Sequence, residues 1–324
     1  MIPLSRALLF FQLLVIALII SSTLCVGFDE GGNTIYSGEI IATLNPPAFM
    51  VSLVNSSENI TYVLRYVDIV EFMDMDMDGV FGGGDKVVAI GILNSTSWNI
   101  TYEPTAPVTE TGQTDYYSVR ALVSGKINVT NINGSDIGTA DIIFACSIFR
   151  DDVYVRGYPV RGQMELKIDF NIYAWPTNND DSLLMLRLKF YALPVQERVS
   201  VTYSKEQYGD LEISIVTITQ SMDESAEFRY SNYTFIQNDS LTRKPVGSIQ
   251  KQDTYPIEIS IIYPHGGRGI SHDQSIRLNR IIQEGGKANI AKYGLLITMF
   301  IAIIVVTIVA VMVTRHLHRS GRED

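Results

Sequence analysis

Glu165-Leu166-Lys167-Ile168-Asp169-Phe170-Asn171-Ile172-Tyr173 alternates polar and apolar side chains along its length. In an extended chain successive side chains point to opposite faces, so Leu166, Ile168, Phe170 and Ile172 share one face and the polar residues the other. Such a pattern predicts an antiparallel strand with one face on a core. The following stretch 175–182, Trp-Pro-Thr-Asn-Asn-Asp-Asp-Ser, is dense in turn formers and predicts a hairpin back into 183–192.

Working outward, runs rich in Val, Ile, Tyr, Phe and Thr recur between turn signals at 39–44, 49–54, 86–93, 116–123, 140–149 and 153–158. Others lie at 198–203, 211–219, 226–235 and 257–263. The run 62–73 is ambiguous, since Tyr62, Tyr66, Val70 and Met73 could also line a helix, but its β-branched content favours a strand. Many short strands at this spacing predict an all-β fold, a large antiparallel β-sandwich. Long loops are expected at 104–115 and 244–253, the second being the place for a boundary if there are two domains.

Both ends of the chain are apolar. Residues 295–314 run without a charge and are followed by Arg315, His316, His318, Arg319 and Arg322. About 20 such residues make a helix of roughly 30 Å, the thickness of a bilayer's hydrocarbon core. The basic flank places 315–324 in the cytoplasm under the positive-inside bias. Near the start, Arg6 precedes the apolar stretch 7–20, and small or polar residues follow, which predicts a signal peptide over 1–27. Leu24 stands where a lipidated cysteine would need a small residue, which argues against Cys25 as a lipid anchor. The expected layout is a type I, single-pass protein: an extracellular β domain over 28–265, a juxtamembrane stalk over 266–293, a transmembrane helix over 294–314 and a short tail. The stalk is expected because 266–292 is polar and glycine-containing, with only a short apolar patch at Ile276, Leu278, Ile281 and Ile282.

The formal charge of −10 argues against nucleic-acid partners, whose phosphates would be repelled. If the leader is removed, Cys146 is the one cysteine left, so no internal disulfide forms, and it is expected as a small buried hydrophobe. Stability outside the cell must then come from the core, glycans or metal. Sequons stand at Asn55, Asn59, Asn94, Asn99, Asn128, Asn133, Asn232 and Asn238, half of the chain's 16 asparagines. Ser and Thr are about 15% of residues, so roughly two or three sequons are expected by chance. All eight lie on the side of the membrane that the charge bias makes external.

One motif carries specific chemistry. Asp74-Met-Asp76-Met-Asp78-Gly79-Val80-Phe81-Gly82-Gly83-Gly84-Asp85 fits D-x-D-x-D-G-x5-[DE], and over these residues alone it resembles the calcium loop of the EF-hand superfamily. The resemblance implies that Asp74, Asp76 and Asp78 offer hard oxygen ligands at about 2.4 Å, with the Val80 carbonyl and Asp85 completing the shell of a Ca2+ ion. Gly79 permits the sharp turn, and Phe81 would dock the loop on neighbouring structure. Asp85 in place of Glu predicts weaker binding. The next segment, 86–93, reads as a strand, so the loop should join β elements rather than helices.

Enzymatic signatures are missing: there is no G-x-S-x-G, no H-E-x-x-H and no phosphate-binding glycine loop. His265 and His272 are either metal or haem ligands of a membrane-tethered redox protein or loop histidines packed on the sandwich. The loop reading is favoured because no Cys or Met cluster completes a shell. Trp98, Trp175 and the tyrosines could form a sugar-stacking platform, though in β proteins they are more often core. In layout the chain resembles archaeal cell-surface proteins that pair a leader and a C-terminal anchor with a sequon-rich β ectodomain. The expected function is thus a calcium-stabilised surface glycoprotein of structural, adhesive or recognition role, with other surface proteins or glycans as partners. The alternatives are a carbohydrate- or solute-binding module and the redox protein.

Overall fold

The computed structural model describes residues 27–28, 32–37, 39–54, 56, 59–103, 118–177, 181–195, 199–221, 223–237, 241–251, 254–264 and 268–280. The leader, the apolar run 295–314, Asn55, Asn238 and His265 lie outside them. Everything described below belongs to the compact unit Met1–Asn279.

The strands follow one another largely as antiparallel meanders. β1 (Gly27–Phe28), β2 (Thr34–Tyr36), β3 (Ile40–Asn45), β4 (Ala48–Leu53) and β5 (Thr61–Met73) each pair with the next. β5, the ambiguous segment, is a strand throughout. Its first half pairs with β4 and its second half with β6 (Lys86–Ile92) on the same edge. A short 3-10 turn, Leu93–Ser95, leads to β7 (Trp98–Glu103), which pairs with β8 (Ser118–Asn131), and β8 with β9 (Asp136–Phe149). β10 (Val153–Val155) and β11 (Tyr158–Val160) form a separate hairpin. β12 (Glu165–Tyr173), the alternating segment, pairs with β9, and β13 (Ser182–Leu193) pairs with β5. β14 (Ser200–Tyr208), β15 (Leu211–Thr219) and β16 (Glu224–Gln237) are another meander. The last of the described strands are β17 (Leu241–Pro245), β18 (Gly247–Lys251), β19 (Ile257–Pro264) and β20 (Gly269–Arg280).

Two layers result. One runs β1-β2-β3-β4-β5-β13-β19-β18, the other β7-β8-β9-β12-β20-β16-β15-β14. β6 pairs with β5 of the first and β8 of the second, while β17 pairs with β16 and β18, one residue on, with β19. Both sides of the ladder are therefore bridged, and 18 strands make one hydrogen-bonded system. The layers meet through aromatic pairs: Phe49 on Phe144 at 4.9 Å, Tyr66 stacked on Phe170 at 5.7 Å, Phe190 near Phe228 at 6.0 Å and Tyr263 on His272 at 5.2 Å. The apolar face of β12 points into this core, with Leu166, Ile168, Phe170 and Ile172 all buried. The all-β, sandwich-like expectation is met.

Three expectations need correction. Residues 269–280 are not stalk: they form β20, which pairs with β12 across nine positions and lies almost wholly buried. Its inward side chains Ile270, Ile276 and Leu278 join the core, and the polar His272 and Gln274 between them find partners inside, as described below. Residues 244–253 are not a domain boundary, because β17 and β18 run through them inside one unit. His272 is no loop residue; it sits in the core with no exposure. Among the described residues no helix is long and apolar enough to cross a membrane.

Candidate metal centre

The twelve-residue segment joins β5 to β6 as a hairpin loop, from Met73, which pairs with Lys86, onward. Its base is fixed before the aspartates begin. Glu71, fully buried at the end of β5, accepts hydrogen bonds from Trp175 Nε1 (3.0 Å), from Ser182 Oγ (2.6 Å) and from Thr177 Oγ1. A buried carboxylate costs several kcal/mol unless so satisfied, so Glu71 ties the β5 end to the β12–β13 connection. Phe81 docks as expected: its ring meets Phe72 edge-on at 5.1 Å, in a small cluster with Val70, Met185 and Ile262. On the other side the loop lies against β18, where a Cβ on Gly247 would stand 3.4 Å from the Gly79 carbonyl oxygen.

Within this frame the backbone coils around the carboxylates. Gly79, at φ +76°, donates its N–H to Asp74 Oδ2 at 2.7 Å. Val80 N–H reaches Asp78 Oδ1 at 2.7 Å. One oxygen from each of Asp74, Asp76 and Asp78 lies within 4.8 Å of the others. Oxygens on opposite sides of one calcium ion, each bonded at 2.3–2.6 Å, are at most about 5 Å apart, so a single ion can bridge this set. Asp74 Oδ1 is shielded from solvent and accepts no hydrogen bond. Desolvation and the adjoining Asp74 carboxyl push the Asp76 carboxyl above the usual carboxylate range. A bound cation relieves both conditions at once. Asp85 stands differently from the expectation that it closes the shell. It is outside the triad, and its two oxygens accept N–H groups from Met75 (2.9 Å) and Gly82 (2.6 Å), which cinches the loop's ends.

The remaining candidates divide by burial. His272 Nε2 lies 2.8 Å from the Ser231 carbonyl, and Nδ1 lies 3.0 Å from Tyr263 Oη and 2.9 Å from Gln274 Nε2. The carbonyl makes Nε2 the protonated nitrogen and Nδ1 the acceptor. No lone pair is left for a metal, and burial lowers its pKa to about 4. Trp98 packs on Phe144 at 5.5 Å and Trp175 donates its Nε1–H to Glu71; both are partly buried against the core. An open cleft of about 660 Å³ between β14 and β18 is lined by Tyr203, Ser204, Lys205, Ser214, Ser248 and Gln250. Cys146 is free and buried, as expected. Of the sequon asparagines, Asn59, Asn94, Asn99, Asn128 and Asn133 are exposed. Asn232 is half-buried, its Oδ1 accepting the Glu212 N–H at 3.0 Å.

Sequence reading missed a charged cluster under the β10–β11 hairpin, on the outer face of β12, β20 and β16. Arg229, fully buried, reaches Glu206 at 2.8 Å and Glu227 at 3.1 Å, and Arg277 reaches Glu165 at 2.7 Å. Lys167, likewise buried, is bound by Asp169 and Asp273. The polar half of the period-2 pattern in 165–173 was legible, but nothing in it told that a hairpin 10 residues upstream would cover it. Compared with known proteins, the sequence matches no family model and finds no match among curated proteins.

Proposed function

We propose that this chain is a membrane-anchored surface glycoprotein whose all-β sandwich domain is clamped by a calcium ion and serves a structural, adhesive or recognition role at the cell envelope. The observation that carries the clamp is the solvent-shielded, unpartnered Asp74 Oδ1 inside a three-carboxylate loop. The anchor and the external location rest on the apolar run 295–314 with its basic flank, and the glycans on the sequon enrichment. The ion acts by neutralising Asp74, Asp76 and Asp78 and so locking the β5–β6 loop against β18. Extracellular calcium-binding modules bind with Kd values of about 10⁻⁴–10⁻³ M, a range in which occupancy follows external calcium. The redox alternative loses support because His272 has no free nitrogen. A solute-binding role would draw on the β14–β18 cleft, whose lining holds a single aromatic residue, Tyr203.

Protease shaving of sealed cells, with calcium or with chelator, tests the proposal. Fragments from 28–280 should be released, and chelation should open cleavage within 74–85 first. Complete protection of 28–280 on sealed cells, with cleavage only after lysis, would refute the external location.

A further inference from the structure

Lys167 stands in a largely buried triad, of which the Asp169 side chain, at 23% exposure, is the one member that reaches the surface. The Lys167 side chain is 1% exposed, and Nζ lies 2.8 Å from Asp273 Oδ1 on the neighbouring strand β20, whose carboxylate is 5% exposed. Asp169, two residues along β12 on the same face and directly opposite Asp273 in the ladder, also binds Nζ. Tyr158 of the covering hairpin lays its ring over the ammonium at 4.8 Å and bonds Ser275 Oγ at 2.8 Å, which covers Lys167 from that side. An ion pair so deeply buried is a costly choice, since desolvation of both partners offsets most of their attraction.

We propose that Lys167 and Asp273 condense to an isopeptide bond that covalently joins β12 to β20, with Asp169 as the proton shuttle. The reaction needs no oxidant, reductant or co-reactant. A proton passes from the Lys167 ammonium to the Asp273 carboxylate, giving a neutral amine beside a neutral acid, the minor but reactive form of the pair, whose cost relative to the resting ion pair burial lowers. Nζ attacks the Asp273 Cγ, and Asp169 takes the proton released from nitrogen. The tetrahedral intermediate collapses as the C–O bond breaks, and Asp169 returns that proton to the departing hydroxyl, which leaves as water. With the acceptor oxygen at hydrogen-bond distance, the carboxyl carbon is one C–O bond of about 1.2 Å further on, so a small rotation reaches the 3–3.5 Å of a near-attack geometry. Held reactants of this kind show effective molarities of about 10⁵–10⁸ M, and the burial of Lys167 and Asp273 themselves slows attack by water on the bond once made.

The charge states agree with this division of roles. Burial pulls the Lys167 pKa down while Asp169 and Asp273 outweigh it and raise it, so the ion pair is the resting form before reaction. Burial, with Asp273 nearby, lifts the Asp169 carboxyl above the carboxylate range, as suits a group that must take and return a proton. In a chain whose one described cysteine is free, this bond would supply the covalent tie that disulfides give other exported domains.

Tryptic digestion of the purified full-length protein, read by tandem mass spectrometry, decides it. The expected product joins 162–187, uncleaved after Lys167, to 269–277, with a mass one water below the sum of the two. Quantitative recovery of separate 162–167, 168–187 and 269–277 peptides from folded protein overturns the proposal. Asp169→Asn should abolish the joined species while circular dichroism still reports β structure; an undiminished yield removes Asp169 from the mechanism. Asp273→Asn should restore joining with loss of ammonia in place of water, and joining through residue 169 in that variant would refute Asp273 as the acceptor.

Discussion

His272 gives the fold a defined response to acid. The imidazole is fully buried between Tyr230, Tyr263 and Gln274, with Nε2–H on the Ser231 carbonyl and Nδ1 accepting from the Tyr263 and Gln274 side chains. Protonation would put a second N–H on Nδ1, against groups already oriented to donate, in a site with no solvent exposure. Burial, the largest cause, accordingly lowers the folded-state pKa from 6.5 to about 4. Lys167 lowers it further, while the Ser231 bond and Asp169 pull the other way. Between those two values the unfolded chain holds a proton that the folded chain does not, so stability falls as pH falls through this window. Each tenfold difference in proton affinity is worth about 1.4 kcal/mol, so the whole loss reaches about 3 kcal/mol and is complete below the folded pKa. Urea unfolding of the wild-type chain and of His272→Gln, measured from pH 7.5 downwards, isolates it, because carboxylates that titrate lower down act on both proteins alike. The wild type should lose about 3 kcal/mol more than the variant on reaching pH 4. Parallel stability curves would refute the reasoning and the neutral core histidine with it.

Two further predictions follow from packing and exposure. Phe144→Ala removes a ring that touches Phe49, Tyr66, Trp98 and Phe170, across both layers. It should cost about 3–5 kcal/mol and lower Tm by roughly 6–20 °C in calorimetry, whereas a loss below about 1 kcal/mol would mean that the layers do not meet there. Site-resolved glycan mapping of native protein should find Asn94, Asn99, Asn128 and Asn133 occupied and Asn232 empty, because the Asn232 side chain is half-buried and its amide is held against β15 through the Glu212 N–H. Full occupancy at Asn232 with the other four bare would contradict the surface assignment.

The strands were legible where one face is apolar and the other wetter, as in Ile40–Asn45, whose buried Ile40, Ala42 and Leu44 alternate with Ile41, Thr43 and Asn45. β20 escaped because its inward face, Ile270, His272, Gln274, Ile276 and Leu278, has two polar residues at its centre and its other face is polar throughout. His272 and Gln274 point inward, yet they are satisfied by Tyr263, Ser231 and Tyr66, which donates to Gln274 Oε1 at 2.6 Å. Asp273, Ser275 and Arg277 point outward, yet they are covered and paired with Lys167, Tyr158 and Glu165. Hydrophobic patterning registers side chains, not partners, so a strand stabilised by a buried polar network reads as a loop. β17 and β18 were missed for the opposite reason: they are largely exposed, and Pro245 and Gly247 punctuate them. At the metal centre the spacing of Asp74, Asp76 and Asp78 with Gly79 was readable, because local geometry alone brings them together. The role of Asp85 was not, since it depends on which backbone amides the hairpin turns towards its carboxylate.

Calcium titration of the full-length protein in detergent, followed by thermal unfolding, tests the clamp most directly. Binding to the folded chain alone stabilises it by about 1.4 kcal/mol at a tenfold excess over Kd, which for a domain of this size raises Tm by roughly 3–6 °C. Asp74→Asn should bind no calcium in this range and show no rise, while keeping its β spectrum. A wild-type Tm that stays unchanged up to millimolar calcium, or an equal rise in the variant, would contradict the account.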